Sequence, residues 1–281
     1  MKFSYQLDND ALDVDAPDET IFSFGKQEVL SKNWSDITCN CGWFNQGFSS
    51  LNYEHVLKHS SLLEHVTNEV RSRLVELFPD RDFDHFSLSK YHNFVSPDEH
   101  KTVADRVMKR LYCADLKDIS HTFVKFISDE LGIPVGFKQQ ESDLEHWIIV
   151  RINPPDSYAF NPVHKDIYED FDASGYCPKM VNAWVPLAGV NANAGLGIAA
   201  GSHLISEDKI LRTRAGSTIN GRKYSVNCIQ SWDNSSSLTT VAPPLGSMLL
   251  FSSHLIHGLG INKNHDTTRV ALEFRLHSQE K

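Results

Sequence analysis

Beyond about residue 140 the chain is cut into apolar runs too short for helices, and this texture narrows its fold more than any other feature. The runs cover 147–152, 181–187, 197–200, 238–241, 247–251 and 270–276. Between them lie Asn-Pro, Pro-Pro, Asn-Ala-Asn-Ala-Gly and Asn-Lys-Asn-His-Asp stretches. Short strands separated by turn residues predict a sandwich or jelly roll. No helix-length pattern lies between successive strands, which argues against a doubly wound parallel sheet. Residues 1–140 read as mostly helical. Over 50–78, Val56, Leu63, Val66, Val70, Leu74 and Leu77 recur at three- and four-residue steps, up to Pro79. A strand-like stretch follows at 83–95. Ser96-Pro97-Asp98-Glu99 then reads as a capped start for a helix running to about Tyr112. Another helix spans 116–131 and ends at Gly132. The expectation is a single domain over 1–281, mainly β with flanking α, its N-terminal helices on the outer face of a jelly roll at 141–281.

Composition excludes several classes. The 281 residues suffice for one sizeable core. A formal net charge of −9 argues against nucleic acid as the partner, since that task needs a basic face. No segment reaches the roughly 18 to 20 consecutive apolar residues of a membrane span. The N-terminus turns acidic after Tyr5 and lacks the basic start and apolar run of a secretory signal. Cys39 and Cys41 form a close pair, but no second pair completes a zinc site. The five cysteines read as reduced thiols of a cytoplasmic protein, and the partner left is a small-molecule substrate.

Two segments carry the chemistry. On a strand, residues i and i+2 point the same way, so His164 and Asp166 can present an imidazole and a carboxylate to one metal ion. Alone this means little, because roughly one His-x-Asp is expected by chance in such a chain. The second segment runs from Gly246 through an apolar strand to His254 and His257, followed by Arg269 and Arg275. Two histidines and one carboxylate leave three positions open on iron(II), enough for a bidentate 2-oxo acid and dioxygen. The far carboxylate of that acid needs a buried cation, and arginine binds carboxylates bidentately while staying charged.

With these residues in view, the chain resembles the phytanoyl-CoA dioxygenase (PhyH) superfamily of Fe(II)/2-oxoglutarate-dependent oxygenases. The matching residues run from about Arg151 to Leu276. They are His164-Lys165-Asp166, the strand from Asn182 to Leu187, the Ala200-Gly201-Ser202-His203 turn, the Gly246 to Phe251 strand, and His257-Gly258 with Asn262 and Arg269. Ala200 and Ser247 stand where the family usually has proline and aspartate, and neither position binds metal. The resemblance implies a double-stranded β-helix, Fe(II) as the metal, and 2-oxoglutarate as co-substrate, decarboxylated as the substrate is oxidised. It implies His164, Asp166 and His257 as ligands. His257 fits the family pattern through Gly258 and Asn262, which leaves His254 beside the site or on the substrate. Arg269, twelve residues after His257, has the spacing of the 2-oxoglutarate arginine. An aspartate at 166 favours hydroxylation over halogenation, in which a small residue leaves room for chloride.

Other residues keep two readings. Arg151 is a co-substrate contact or a surface arginine. Arg275 points inward as a substrate contact or a fold-stabilising ion pair. Trp184 walls the site or packs the roll. His203 belongs to a structural turn, and His55, His59 and His65 read as a solvated helix face. The polar stretch 202–245, with Lys209, Arg212, Arg214, Arg222 and Lys223, reads as a lid favouring a polar or anionic substrate, or as a solvated loop. A cupin-like metal-binding protein or isomerase would share the roll without using 2-oxoglutarate, and Arg269 is the residue that discriminates.

Overall fold

The computed structural model describes residues 1–33, 36–104, 116–138, 148–158, 161–214 and 216–280. The chain opens on a β-hairpin, not on helices. Strands β1 (Lys2–Leu7) and β2 (Asp10–Asp15) pair antiparallel, with Tyr5, Leu7 and Val14 buried and Asp13 and Asp15 facing water. A short helix α1 (Leu30–Asn33) and strand β3 (Phe48–Asn52) follow, then helices α2 (His59–Leu77), α3 (Pro97–Val103) and α4 (Lys117–Leu131). The helix expected from residue 50 therefore starts late. The backbone of Phe48–Asn52 is claimed by sheet pairing with Ser247–Phe251, and Val56 stays exposed in the turn between.

The stretch 83–95 is likewise not a strand. It contains a 3-10 turn over Leu88–Asn93, with Leu88 and Tyr91, three apart, both buried. Phe83, Phe86 and Phe94 pack ring on ring beside it, so spacing by three rather than by two governs the segment. Helix α3 begins with a capping box between Ser96 and Glu99 and with Pro97 in its first turn. Its expected continuation to Tyr112 lies outside the described residues. Gly132, in the left-handed region at φ 69°, ends α4. His59 is buried at the head of α2 with Nδ1 2.9 Å from the Tyr53 hydroxyl, so it is not part of a solvated face.

The remaining elements are strands β4 (Val135–Gly136) and β5 (Ile149–Asn153), helix α5 (Tyr168–Ser174), and strands β6 (Met180–Ala188), β7 (Leu196–Ile198), β8 (Ile210–Arg212), β9 (Ser217–Ile219), β10 (Arg222–Tyr224), β11 (Ile229–Trp232), β12 (Ser237–Val241), β13 (Ser247–Ser252), β14 (His257–Gly258) and β15 (Arg269–Ser278). Each of the six runs read as strands holds one, and β8 to β11 and β14 are additional. One sheet has the order β3-β13-β6-β15-β4, with β5 also on β15; the other has the order β14-β7-β12-β1-β2. These are the two walls of a jelly roll. The N-terminal part is woven into both, through β3 on β13 and through β1 running parallel to β12.

Alternation along the long strands sorts side chains to two faces. Val181, Ala183, Val185 and Leu187 of β6, with Val270, Leu272, Phe274 and Leu276 of β15, pack outward on Leu62, Val66, Val70 and Leu74 of α2 and on Phe123 and Ile127 of α4. The intervening residues, including Trp184, Leu249, Phe251 and Ala271, face the interior of the roll with Leu196 and Ile198. A sheet covered on both faces reads as a continuous apolar run, which is why β6 and β13 show little polar alternation. Among the described residues, no helix is long and apolar enough to cross a membrane.

Candidate active site

His164 and His257 meet because their backbones do. They form an isolated antiparallel bridge and exchange both hydrogen bonds, at 2.9 and 3.1 Å. Their ring centroids are 4.5 Å apart. So close an approach requires Gly258: its φ is 157°, and a Cβ there would lie 2.8 Å from the Pro162 carbonyl oxygen. Leu259 next to it is also held at positive φ, 58°.

Each imidazole is oriented by its own chain. The Nδ1 of His164 is 2.7 Å from the Pro162 carbonyl, and that of His257 is 3.0 Å from the Leu255 carbonyl. A carbonyl only accepts, so Nδ1 carries the hydrogen and Nε2 presents its lone pair inward. The two Nε2 atoms lie 3.4 and 3.5 Å from the Asp166 carboxylate, and the three ligand atoms all fall within 4.8 Å of one another. Such separations fit neighbouring ligands around one ion with bonds of about 2 Å. Two histidines and a carboxylate are the donor set expected of non-haem iron(II).

The Asp166 carboxylate is gripped on both oxygens. Asn182 Nδ2 donates to Oδ2 at 2.7 Å, and Arg275 Nη2 donates to Oδ1. Burial alone would raise this carboxyl, but Arg275, His257 and His164 outweigh it and hold it well below the usual range. Burial likewise takes His257 down to about 4, against the pull of Asp166, so its imidazole is neutral at pH 7. Arg275 is thus an ion-pairing residue. Asn182 was not singled out in the sequence, although it shares a strand face with Trp184.

Arg269 lies on the same face of β15 as Glu273 and Arg275, and all three line one cavity of about 630 Å³ with His164, Asp166 and His257. Its Nη1 donates to Asn153 Oδ1 at 2.8 Å, and its guanidinium sits 5.1 Å from the Trp184 ring. Nε and Nη2 are buried with no hydrogen-bond partner among the described residues. Burial pulls this guanidinium down to about 10. A buried cation with half of its fork unused fits the far carboxylate of a 2-oxo acid.

Arg151 also lines the cavity, but both Nε and Nη2 donate to Glu273 Oε2, at 3.1 and 2.8 Å. Glu273 has the same strand parity as Arg269 and Arg275, the one signal that could have found it. Trp184 is both readings at once, 1% exposed in the interior cluster and part of the cavity wall. Asn262 staples its turn by donating to the Asn153, Pro154 and Thr267 carbonyls.

His254 does not line the cavity. It is buried with Nε2 3.8 Å from Cys177 Sγ, and burial, reinforced by Lys165, keeps it neutral. The reading of it as a group beside the metal or on the substrate is corrected accordingly. A residue three before His257 leaves the strand end in another direction.

The lid reading of Arg212 and Arg214 also needs correction. Lys165, between the two ligands in sequence, points to the opposite face and pairs with Glu207 at 2.9 Å. Glu207 also accepts from the Tyr168 hydroxyl at 2.7 Å, and Arg212 lies over the Tyr168 ring and pairs bidentately with Asp172 at 2.6 and 2.8 Å. Arg214 reaches the same Asp172 at 3.4 Å. Arg212 is wholly buried and is not among the described residues that line the cavity of the His–Asp–His cluster. Arg212→Ala is expected to destabilise the protein by about 3–5 kcal/mol, by stranding buried carboxylates, without weakening 2-oxoglutarate binding. Chemical denaturation and calorimetric titration read the two effects separately.

A family model for phytanoyl-CoA dioxygenase (PhyH) matches residues 71–271. No curated protein matches the sequence. Among solved structures, AviO1 from Streptomyces viridochromogenes Tue57 is similar with TM-score 0.50 and 17% identity, over 91% of this chain and 97% of that one. EctD from S. alaskensis, in a structure with 2-oxoglutarate and 5-hydroxyectoine, has TM-score 0.49 and 12% identity, over 98% and 86%. SnoN, described as a non-heme alpha ketoglutarate dependent epimerase from nogalamycin biosynthesis, has TM-score 0.43 and 12% identity, over 84% and 79%. The family match spans well over half of the chain and takes in the His164–Asp166 and His257 segments as well as Arg269, and on that ground the protein belongs to the phytanoyl-CoA dioxygenase (PhyH) family.

Proposed function

We propose that this member of an iron(II)/2-oxoglutarate oxygenase family hydroxylates a small polar or anionic molecule. The observation that carries the reading is a juxtaposition. A His–Asp–His cluster and a buried arginine with unused donors open onto one cavity. In this reading His164, Asp166 and His257 hold the iron, and the fork of Arg269 takes the far carboxylate of 2-oxoglutarate. When bound, the pair would let dioxygen act as the oxidant, one oxygen atom entering succinate as 2-oxoglutarate loses carbon dioxide and the other entering a substrate C–H bond as hydroxyl. Asn182 and Arg275 orient Asp166, Glu273 holds Arg151 against the wall, and Trp184, Leu196 and Phe251 exclude water from the chamber.

A metal-binding protein or isomerase that ignores 2-oxoglutarate would have no use for Arg269 as it stands. Anaerobic titration with iron(II) and 2-oxoglutarate separates the readings. A weak visible band near ~500 nm is expected, since a bidentate 2-oxo acid on a facial-triad iron produces one. Aerobic incubation is then expected to release succinate. No band together with no succinate would overturn the proposal.

A further inference from the structure

The cavity opens outward between two elements that both bring positive charge. Helix α3 supplies His100 and Lys101, and β10 of the β9–β10 hairpin supplies Arg222 and Lys223. Both elements line the same cavity, and Lys101, Arg222 and Lys223 are exposed on it. Among the described residues, six cationic side chains line the cavity, Lys101, Arg151, Arg222, Lys223, Arg269 and Arg275. Against them, among the described residues, stand three carboxylates, Asp166, Glu169 and Glu273. That excess sits in a chain whose formal charge is −9.

The inner cations have duties. Arg151 is paired with Glu273, Arg275 with Asp166, and Arg269 carries the unused fork. The outer three, Lys101, Arg222 and Lys223, have no carboxylate partner among the described residues. Like charges gathered at the mouth of a low-dielectric chamber repel one another and focus a positive potential on it. An anion docked between them relieves the repulsion. The wall just inside is apolar, formed by Val226, Leu196 and Phe251.

We infer that the substrate carries an oxyanion, a carboxylate or a phosphate monoester, which docks between Arg222 and Lys223 of the hairpin and Lys101 of α3. Its apolar body lies inward on Val226, Leu196 and Phe251, and the carbon to be oxidised reaches the His–Asp–His cluster. This assignment rests on reading the cavity as the oxygenase's substrate chamber. It moves the anion-binding role of the 202–245 stretch from Arg212 and Arg214 to Arg222 and Lys223.

The test uses the full chain loaded anaerobically with iron(II) and saturating 2-oxoglutarate, so that Arg269 is engaged. Phenylphosphate, benzoate and neutral phenol are titrated by calorimetry into wild type, R222E/K223E and the milder R222Q/K223Q. Saturable binding of phenylphosphate or benzoate is expected, with the preferred anion naming the headgroup. The glutamate pair is expected to weaken it at least ten-fold and the glutamine pair less, while phenol is indifferent to either change. Equal anion affinity in all three proteins, or no saturable binding of either anion to wild type, overturns the inference. The ~500 nm band is recorded in the same samples. Its absence from wild type counts against the oxygenase reading. A band without anion binding sinks the rim assignment alone.

Discussion

Arg269→Met is expected to bind 2-oxoglutarate at least a hundred-fold more weakly than wild type, yet to be the more stable protein when no 2-oxoglutarate is present. The two effects share one cause. Removing one partner of a buried, hydrogen-bonded charge pair costs about 2–5 kcal/mol, and a hundred-fold corresponds to roughly 3. The same guanidinium is buried with Nε and Nη2 unpartnered among the described residues. Its pKa is pulled down to about 10, mainly through burial. A folded value below the unfolded one marks a destabilised charged form. That displacement amounts to about 3 kcal/mol at any pH below the folded value, and fades as pH rises from about 10 toward the ordinary arginine range. A methionine fills similar space beside Trp184 without the charge, so melting should rise by roughly 2–4 °C for each kcal/mol recovered. Added 2-oxoglutarate should then raise the melting temperature of iron-loaded wild type but leave that of the variant unmoved. A variant that still responds to 2-oxoglutarate would show that the carboxylate sits elsewhere.

The second large effect separates two histidines three residues apart. His257→Ala is expected to lose at least a hundred-fold in iron affinity, since even residues that only support a metal ligand contribute about 10–100-fold. Succinate release should fall with it. His254→Ala is expected to keep both, and to show instead a stability loss of about 1–3 kcal/mol from truncating a fully buried ring. Iron content after desalting, succinate release and denaturant midpoints give the comparison. If His254→Ala loses iron and His257→Ala retains it, the assignment is reversed.

Much of the roll was legible because strand signals are local. Apolar runs of four to seven residues between turn residues marked β5, β6, β7, β12, β13 and β15. Strands β1 and β2 form a local hairpin that the helical reading of 1–140 passed over, whereas β3 was not legible, because what makes it a strand is distant pairing with β13. The same holds at the site. His164, Asp166, His257 and Arg269 stand out by spacing, whereas Asn182 and Glu273 become visible only once β6 and β15 lie side by side with Asn182 opposite Arg275.

By itself, then, the sequence determined that Arg269 and Arg275 share a face, because side-chain direction alternates with residue number along a strand, whereas His164 and Asp166, on an isolated bridge and the turn after it, converge through tertiary structure. Tertiary structure alone decided which charges found partners. Arg212 and Arg222 both lie in one polar stretch and read alike. Packing buries the first against Asp172 and Tyr168 and leaves the second at the mouth of the cavity. A charge's role depends on its partner and on how much water remains around it, and both are set by segments far away in the chain.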